Sequence, residues 1–199
     1  MIIKGWHGWF GTFTGVAVIT VAVLPVAALA VWALARRRRV TGTTPAWAWR
    51  TSLAEVSIVY GTVPWVWMIM LPGGRAGTAP ARVSLVPLRD LSHILAAGPA
   101  TATGQVVGNL LVFAALGFFA PLRFAALASV PRILALAAGC SVLVEVAQYV
   151  LRLDRVSSAD DVLLNTAGAG LAALASRRWW RATARASSDR PRPAPVPGR

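Results

Sequence analysis

The chain has 199 residues, 56% of them hydrophobic and 14% charged, with a mean hydropathy of +0.61 and a formal net charge of +13. A soluble domain of this size needs far more polar surface, so that class is excluded. The positive charge does not imply nucleic acid, because the arginines sit in blocks at the ends of apolar runs and no aromatic-plus-basic groove pattern accompanies them.

The first apolar run covers residues 9–35 and closes on Arg36-Arg37-Arg38-Arg39. Lys4 ahead of it and an Ala-x-Ala pattern at Ala28 and Ala30 invite comparison with a signal peptide. The run is too long for an h-region, and its stronger positive flank follows it, so it reads as a retained helix. Its removal would leave four helices. The second run, residues 53–71, ends at Pro72-Gly73-Gly74, a turn signal. A longer connection with Pro80, Pro87 and Pro99 follows, with a short re-entrant or interfacial piece expected near residues 83–95. Further runs cover residues 105–122, 133–151 and 161–175. Runs of roughly 18 residues or more cross a hydrocarbon layer about 30 Å thick.

The expected fold is therefore an all-α integral membrane bundle of about five transmembrane helices. It divides into an N-terminal helix with a basic loop (1–52), a four-helix domain (53–176) and a basic, proline-rich tail (177–199). The tail from residue 187 onward should be disordered. Cys140, alone in the sequence, allows no intramolecular disulfide and reads as a small residue in an apolar run.

Counting Lys and Arg on alternate sides of the five runs places 14 on one side and 6 on the other. The positive-inside rule then puts the N-terminus outside and the C-terminus in the cytoplasm of a multi-pass plasma-membrane protein. Trp179 and Trp180, set among arginines, suit an anchor at the inner interface.

An ionisable side chain within hydrocarbon costs roughly 2.5–3.5 kcal/mol on insertion scales, which makes Glu145 the most demanding residue in the chain. At about 1.5 Å per residue it lies some 9 Å from the outer end of the fourth run. Ser141, Glu145, Gln148 and Arg152 share one helical stripe. On the fifth run Asp161, Asn165, Gly168 and Ala172 share another, polar outside and small inside. The third carries Gln105, Gly108 and Asn109 at its outer end.

Several of these residues have structural readings. Gln105, Asn109 and Asn165 can bond across helices, and Gly104-x-x-x-Gly108 is an ordinary packing device. Ser157-x-x-Asp160 and Ser158-x-x-Asp161 fit caps opening the fifth helix. Glu55 can reach water or Arg50. His7 and His93 have no second ligand nearby, so no metal and no cofactor is expected. Glu145 is too deep to snorkel: either Arg152 or Arg155 folds back to pair with it, or it is protonated. Both options require a polar pocket.

Residues 57–175 resemble the VanZ-like family of bacterial membrane proteins. Four blocks carry the resemblance: Val83-Ser84-Leu85-Val86-Pro87-Leu88-Arg89; Gly108-Asn109-Leu110-Leu111-Val112-Phe113 with Leu116-Gly117-Phe118; Val144-Glu145-Val146-Ala147-Gln148; and Arg155 with Asp161-Val162-Leu163-Leu164-Asn165-Thr166-Ala167-Gly168. The sequence departs from the family's pattern at Ser84 (usually Asn), Leu88 (Phe), Ala115 (Pro) and Asp154 (Gly). The loss of proline at Ala115 should straighten the third helix. The resemblance implies a cell-envelope role, since the family's name member is associated with lowered sensitivity to the lipoglycopeptide teicoplanin.

The candidate ligand-binding set is Asn109, Glu145, Gln148, Arg155, Asp161 and Asn165. The leading expectation is a non-enzymatic protein that binds a membrane lipid or amphiphilic envelope ligand at the outer leaflet. One alternative is an enzyme acting on a lipid-linked envelope precursor, with Glu145 or Asp161 as general base and Arg155 holding a phosphate. A second is a small proton-coupled transporter using Glu145. No nucleophile or hydrolase signature accompanies the acids, which argues against the enzyme.

Overall fold

In a computed structural model, which describes residues 12–78, 80, 82–96 and 98–188, the apolar runs are helices. Helix α1 (Phe13–Val40) begins where the Thr12 hydroxyl accepts the Gly15 N–H at 3.0 Å, and it ends on Arg37, Arg38 and Arg39, cations suited to its negative dipole end. The expected start at residue 9 lies outside the described residues. Prolines open α2 (Pro45–Ile69), α4 (Pro99–Val112) and α6 (Val130–Val150), where a missing N–H costs nothing. Helix α5 (Ala114–Arg123) continues α4 after a break, and α7 (Ala159–Ser188) closes the described chain.

The helices alternate in direction between two ends. Phe13, Ile69, Ala100, Gln148 and Asp161, from the start or finish of five helices, meet at one end. At the other, Arg38 reaches Ser52 and Glu55, Arg123 also reaches Glu55, and Arg50 donates to the Trp179 carbonyl. Among the described residues, four units are long and apolar enough to cross a membrane: α1, α2, α4 with α5, and α6. Helix α7 runs between the same two ends, but its acidic start and arginine-rich finish shorten its apolar stretch. It packs against α4, α5 and α6, while α1 packs along α2. Exposed Val21, Leu29, Leu53, Val59, Leu143 and Leu171 form the surface that lipid would cover.

The core of Val112, Phe113, Ala120, Ile133, Ala137, Ala169 and Ala173 lies where α7 meets α5 and α6. Two glycines make that approach possible. A Cβ at Gly168 would overlap the Leu110 backbone, and one at Gly117 would overlap the backbone of Ala169. The third span is not straight as the sequence suggested. It is interrupted at Phe113 (φ −114°, ψ 15°) although no proline stands at 115. Helix α7 grips both halves of the span through these two glycine contacts, and Ala115 faces Gly61 of α2. Packing on two sides holds the bend without proline.

Two loops at the first end are stitched together. Strand β1 (Arg82–Ser84) pairs in parallel with β2 (Val156–Ser158), Val83 opposite Ser157. Gly73 and Gly77 donate N–H groups to the carbonyls of Leu153 and Arg152, at 2.8 and 2.9 Å. The short helix α3 (Arg89–Ala96), within the piece expected near 83–95, has no buried residue and is held through its first turn. Asp154 stands where the family pattern has glycine, and its φ of 55° is the left-handed region that glycine serves. Aspartate tolerates that region, and here its carboxylate accepts the Arg75 N–H at 3.1 Å and pairs with Arg75 and Arg82 at 3.6 and 3.7 Å.

Candidate functional site

The polar stripes expected on three helices converge. Helix α4 contributes Asn109, α6 contributes Glu145 and Gln148, α7 contributes Asp161 and Asn165, and the α6–β2 loop contributes Arg155. All six line one cavity of about 740 Å³ at the end away from the arginine cluster.

Its deep end is the Asn165 amide, 1% exposed, whose Nδ2 donates to Ser141 Oγ at 2.8 Å. The Asn165 Oδ1 has no hydrogen-bond partner among the described residues. About one helical turn nearer the mouth lies Asp161, which accepts from Asn109 Nδ2 at 2.5 Å. Glu145, from α6, lines the same cavity. At the rim Gln148 donates to the Ile69 carbonyl at 2.9 Å, and Arg155 Nε donates to the Leu71 carbonyl at 3.3 Å.

The expected arginine partner for Glu145 is absent. No guanidinium lies within 4 Å of its carboxylate among the described residues; Arg152 is exposed, and Arg155 is committed to the Leu71 carbonyl. Glu145 Oε2 instead accepts the Ser158 backbone N–H at 3.0 Å, and its own backbone carbonyl accepts from Ser157 Oγ. A carboxylate within reach of a neighbouring strand takes a fixed N–H sooner than a long side chain that must be ordered to meet it.

Asp160 is a cap, as the sequence suggested, but for another helix. Its carboxylate accepts the N–H groups of Leu88 and Leu91, at 2.5 and 2.9 Å, and so secures the start of α3. Ser158 Oγ accepts the Asp160 N–H and donates to Asp90 in the first turn of α3, a further tie to the same helix. Glu55 is structural, as expected, but its arginine partners do not include Arg50. It pairs with Arg38 and Arg123, while Arg50 turns away to Trp179.

Gly104 and Gly108 are not packing against a helix. Both line the cavity, and a Cβ at either would meet nothing within 4 Å. Exposed Thr101 and Gln105 share the lining with them, as do Trp65, Met68 and Ile69 of α2. Phe13, Trp65 and Arg82 belong to this lining and were not singled out in the sequence. Phe13 and Trp65 stand among other apolar residues of a span, where nothing marks them as lining residues. Arg82 gives no signal until β1 pairs with β2.

The fold and the cavity define a multi-pass helical membrane protein with a polar chamber at one end. The VanZ/LLP1 family model matches residues 58–180, more than half of the chain, and the protein belongs to that family. No curated protein and no solved structure matches it.

Proposed function

We propose that the chamber faces the outer leaflet of a bacterial plasma membrane and receives the polar head of an amphiphile. Through it the protein acts in the cell envelope, in the manner of lowered lipoglycopeptide sensitivity. The observation that carries this reading is a polar chamber at one end of a bundle of apolar helices, lined by two carboxylates and a guanidinium that are not paired to one another. Exposed Gly104 and Gln105 of α4 belong to its lining, where a head carried on an apolar chain can enter from the side of the bundle. The outward orientation follows from the arginine blocks at the opposite end.

Expression in a susceptible bacterium tests the reading. The protein should lower teicoplanin sensitivity, and Glu145→Gln, Asp161→Asn and Arg155→Ala at matched membrane levels should each remove that effect. An effect that survives all three rules out the chamber as its source. A C-terminal fusion to alkaline phosphatase should be inactive, and an active one would invert the orientation. Release of product from lipid-linked precursors by the wild type alone would redirect the reading to catalysis.

A further inference from the structure

Resting on the reading of the chamber as an amphiphile site, we infer that its ligand carries a zwitterionic head: a primary ammonium seated between Glu145, Asp161 and the Asn165 carbonyl, with a phosphate toward Arg155. The charges not paired within the protein set this pattern. Asp154 holds Arg82 at the rim, which leaves Arg155 as the lining cation with no carboxylate within 4 Å. Glu145 and Asp161 have no cation within 4 Å among the described residues, and each has one carboxylate oxygen outside the bonds to Ser158 and Asn109. Two acids lining one chamber, neither in an ion pair and with Arg155 as the lining cation left over, are complementary to a further cation brought by a ligand.

The nature of that cation follows from the third group. Asn165 is almost wholly buried, its Nδ2 is spent on Ser141, and its Oδ1 is an acceptor with no donor among the described residues. A buried acceptor is costly until a donor reaches it. A primary ammonium supplies three N–H donors, enough for two carboxylates and one amide oxygen, whereas a quaternary ammonium supplies none. Arg155 lies in the loop after α6, toward the end of the bundle, so the anionic group lies outward of the amine. An amine joined through a phosphate to an apolar chain supplies both charges in one head.

The test uses the full-length protein in detergent and three short-chain diacyl probes with phosphoethanolamine, phosphocholine or phosphoglycerol heads. At about a hundredfold excess over its Kd, the phosphoethanolamine probe should raise the unfolding midpoint by about 5 °C or more, and the other two by less than about 2 °C. Asp161→Asn with Glu145→Gln should equalise the three, and Arg155→Ala should weaken all phosphate probes alike. Equal shifts by phosphocholine and phosphoethanolamine overturn the ammonium while leaving the amphiphile site standing, as does a preference for phosphoglycerol. If wild type and Arg155→Ala respond identically to every probe, both readings fall. The wild-type probe series decides the matter even if a variant fails to fold.

Discussion

Glu55 and Glu145 are both glutamates within apolar helices, near opposite ends of the same bundle, and they are treated in opposite ways. Glu55 is gripped by two arginines from neighbouring helices, Arg38 of α1 and Arg123 of α5, so one carboxylate ties three helices together. Glu145 is held by a backbone N–H and lines a chamber together with a second acid. The same side chain is a fastening where its charge is neutralised by protein and, in the proposed reading, a binding group where it is not. The glycines divide in the same way: Gly117 and Gly168 bring backbones together, whereas Gly104 and Gly108 keep a wall low. If this division is right, changes in the packed regions should cost stability, and changes in the chamber should cost binding.

The largest effect is expected at Gly168→Ala, because the new methyl meets the Leu110 backbone, which cannot move aside. A loss of about 3 kcal/mol should appear as a lowered unfolding midpoint in detergent. Next comes the glutamate pair itself. Glu55→Gln should lose about 2 kcal/mol and leave the order of lipid probes unchanged. Glu145→Gln should change stability by less than about 1 kcal/mol, since an amide oxygen still accepts the Ser158 N–H, while the response to probes is lost. A Glu55 variant that altered probe order with unchanged stability would break the comparison.

Asp160→Ala should cost about 1 kcal/mol and act locally, because the two N–H groups it frees belong to the start of α3. Hydrogen exchange should rise in residues 88–96 with little change in α7. The smallest effect belongs to Gly104→Ala. Its methyl meets open space, so helix propensity should add up to about 1 kcal/mol of stability. A bulkier Gly104→Leu should narrow the chamber that Gly104 lines and weaken every probe.

Much of the chamber was legible before any coordinates, for a simple reason. Polar residues are scarce in a membrane helix, so helical phase alone places Asn109, Glu145, Gln148, Asp161 and Asn165 on faces that can meet. Their partners were not legible. Glu145 sits 13 residues before Ser158, whose N–H it accepts, and Asp160 caps a helix whose first bonded N–H is 72 residues upstream. Gly104-x-x-x-Gly108 has the pattern of a packing motif, yet it faces a cavity, because the pattern records only that the residues are small. The bend at Phe113 was missed because its cause lies in α7 and α2, not in the residues of the bend.

The sequence by itself determined the membrane class, the helical runs, the two unlike ends and the family resemblance, since hydropathy, helical phase and arginine blocks are local or summed properties of the chain. Only the tertiary structure decided which charges neutralise one another and which are left facing a chamber. Ion pairing and backbone approach depend on distances of a few ångströms between residues far apart in sequence, and those distances exist only once the helices and the β1–β2 stitch have packed.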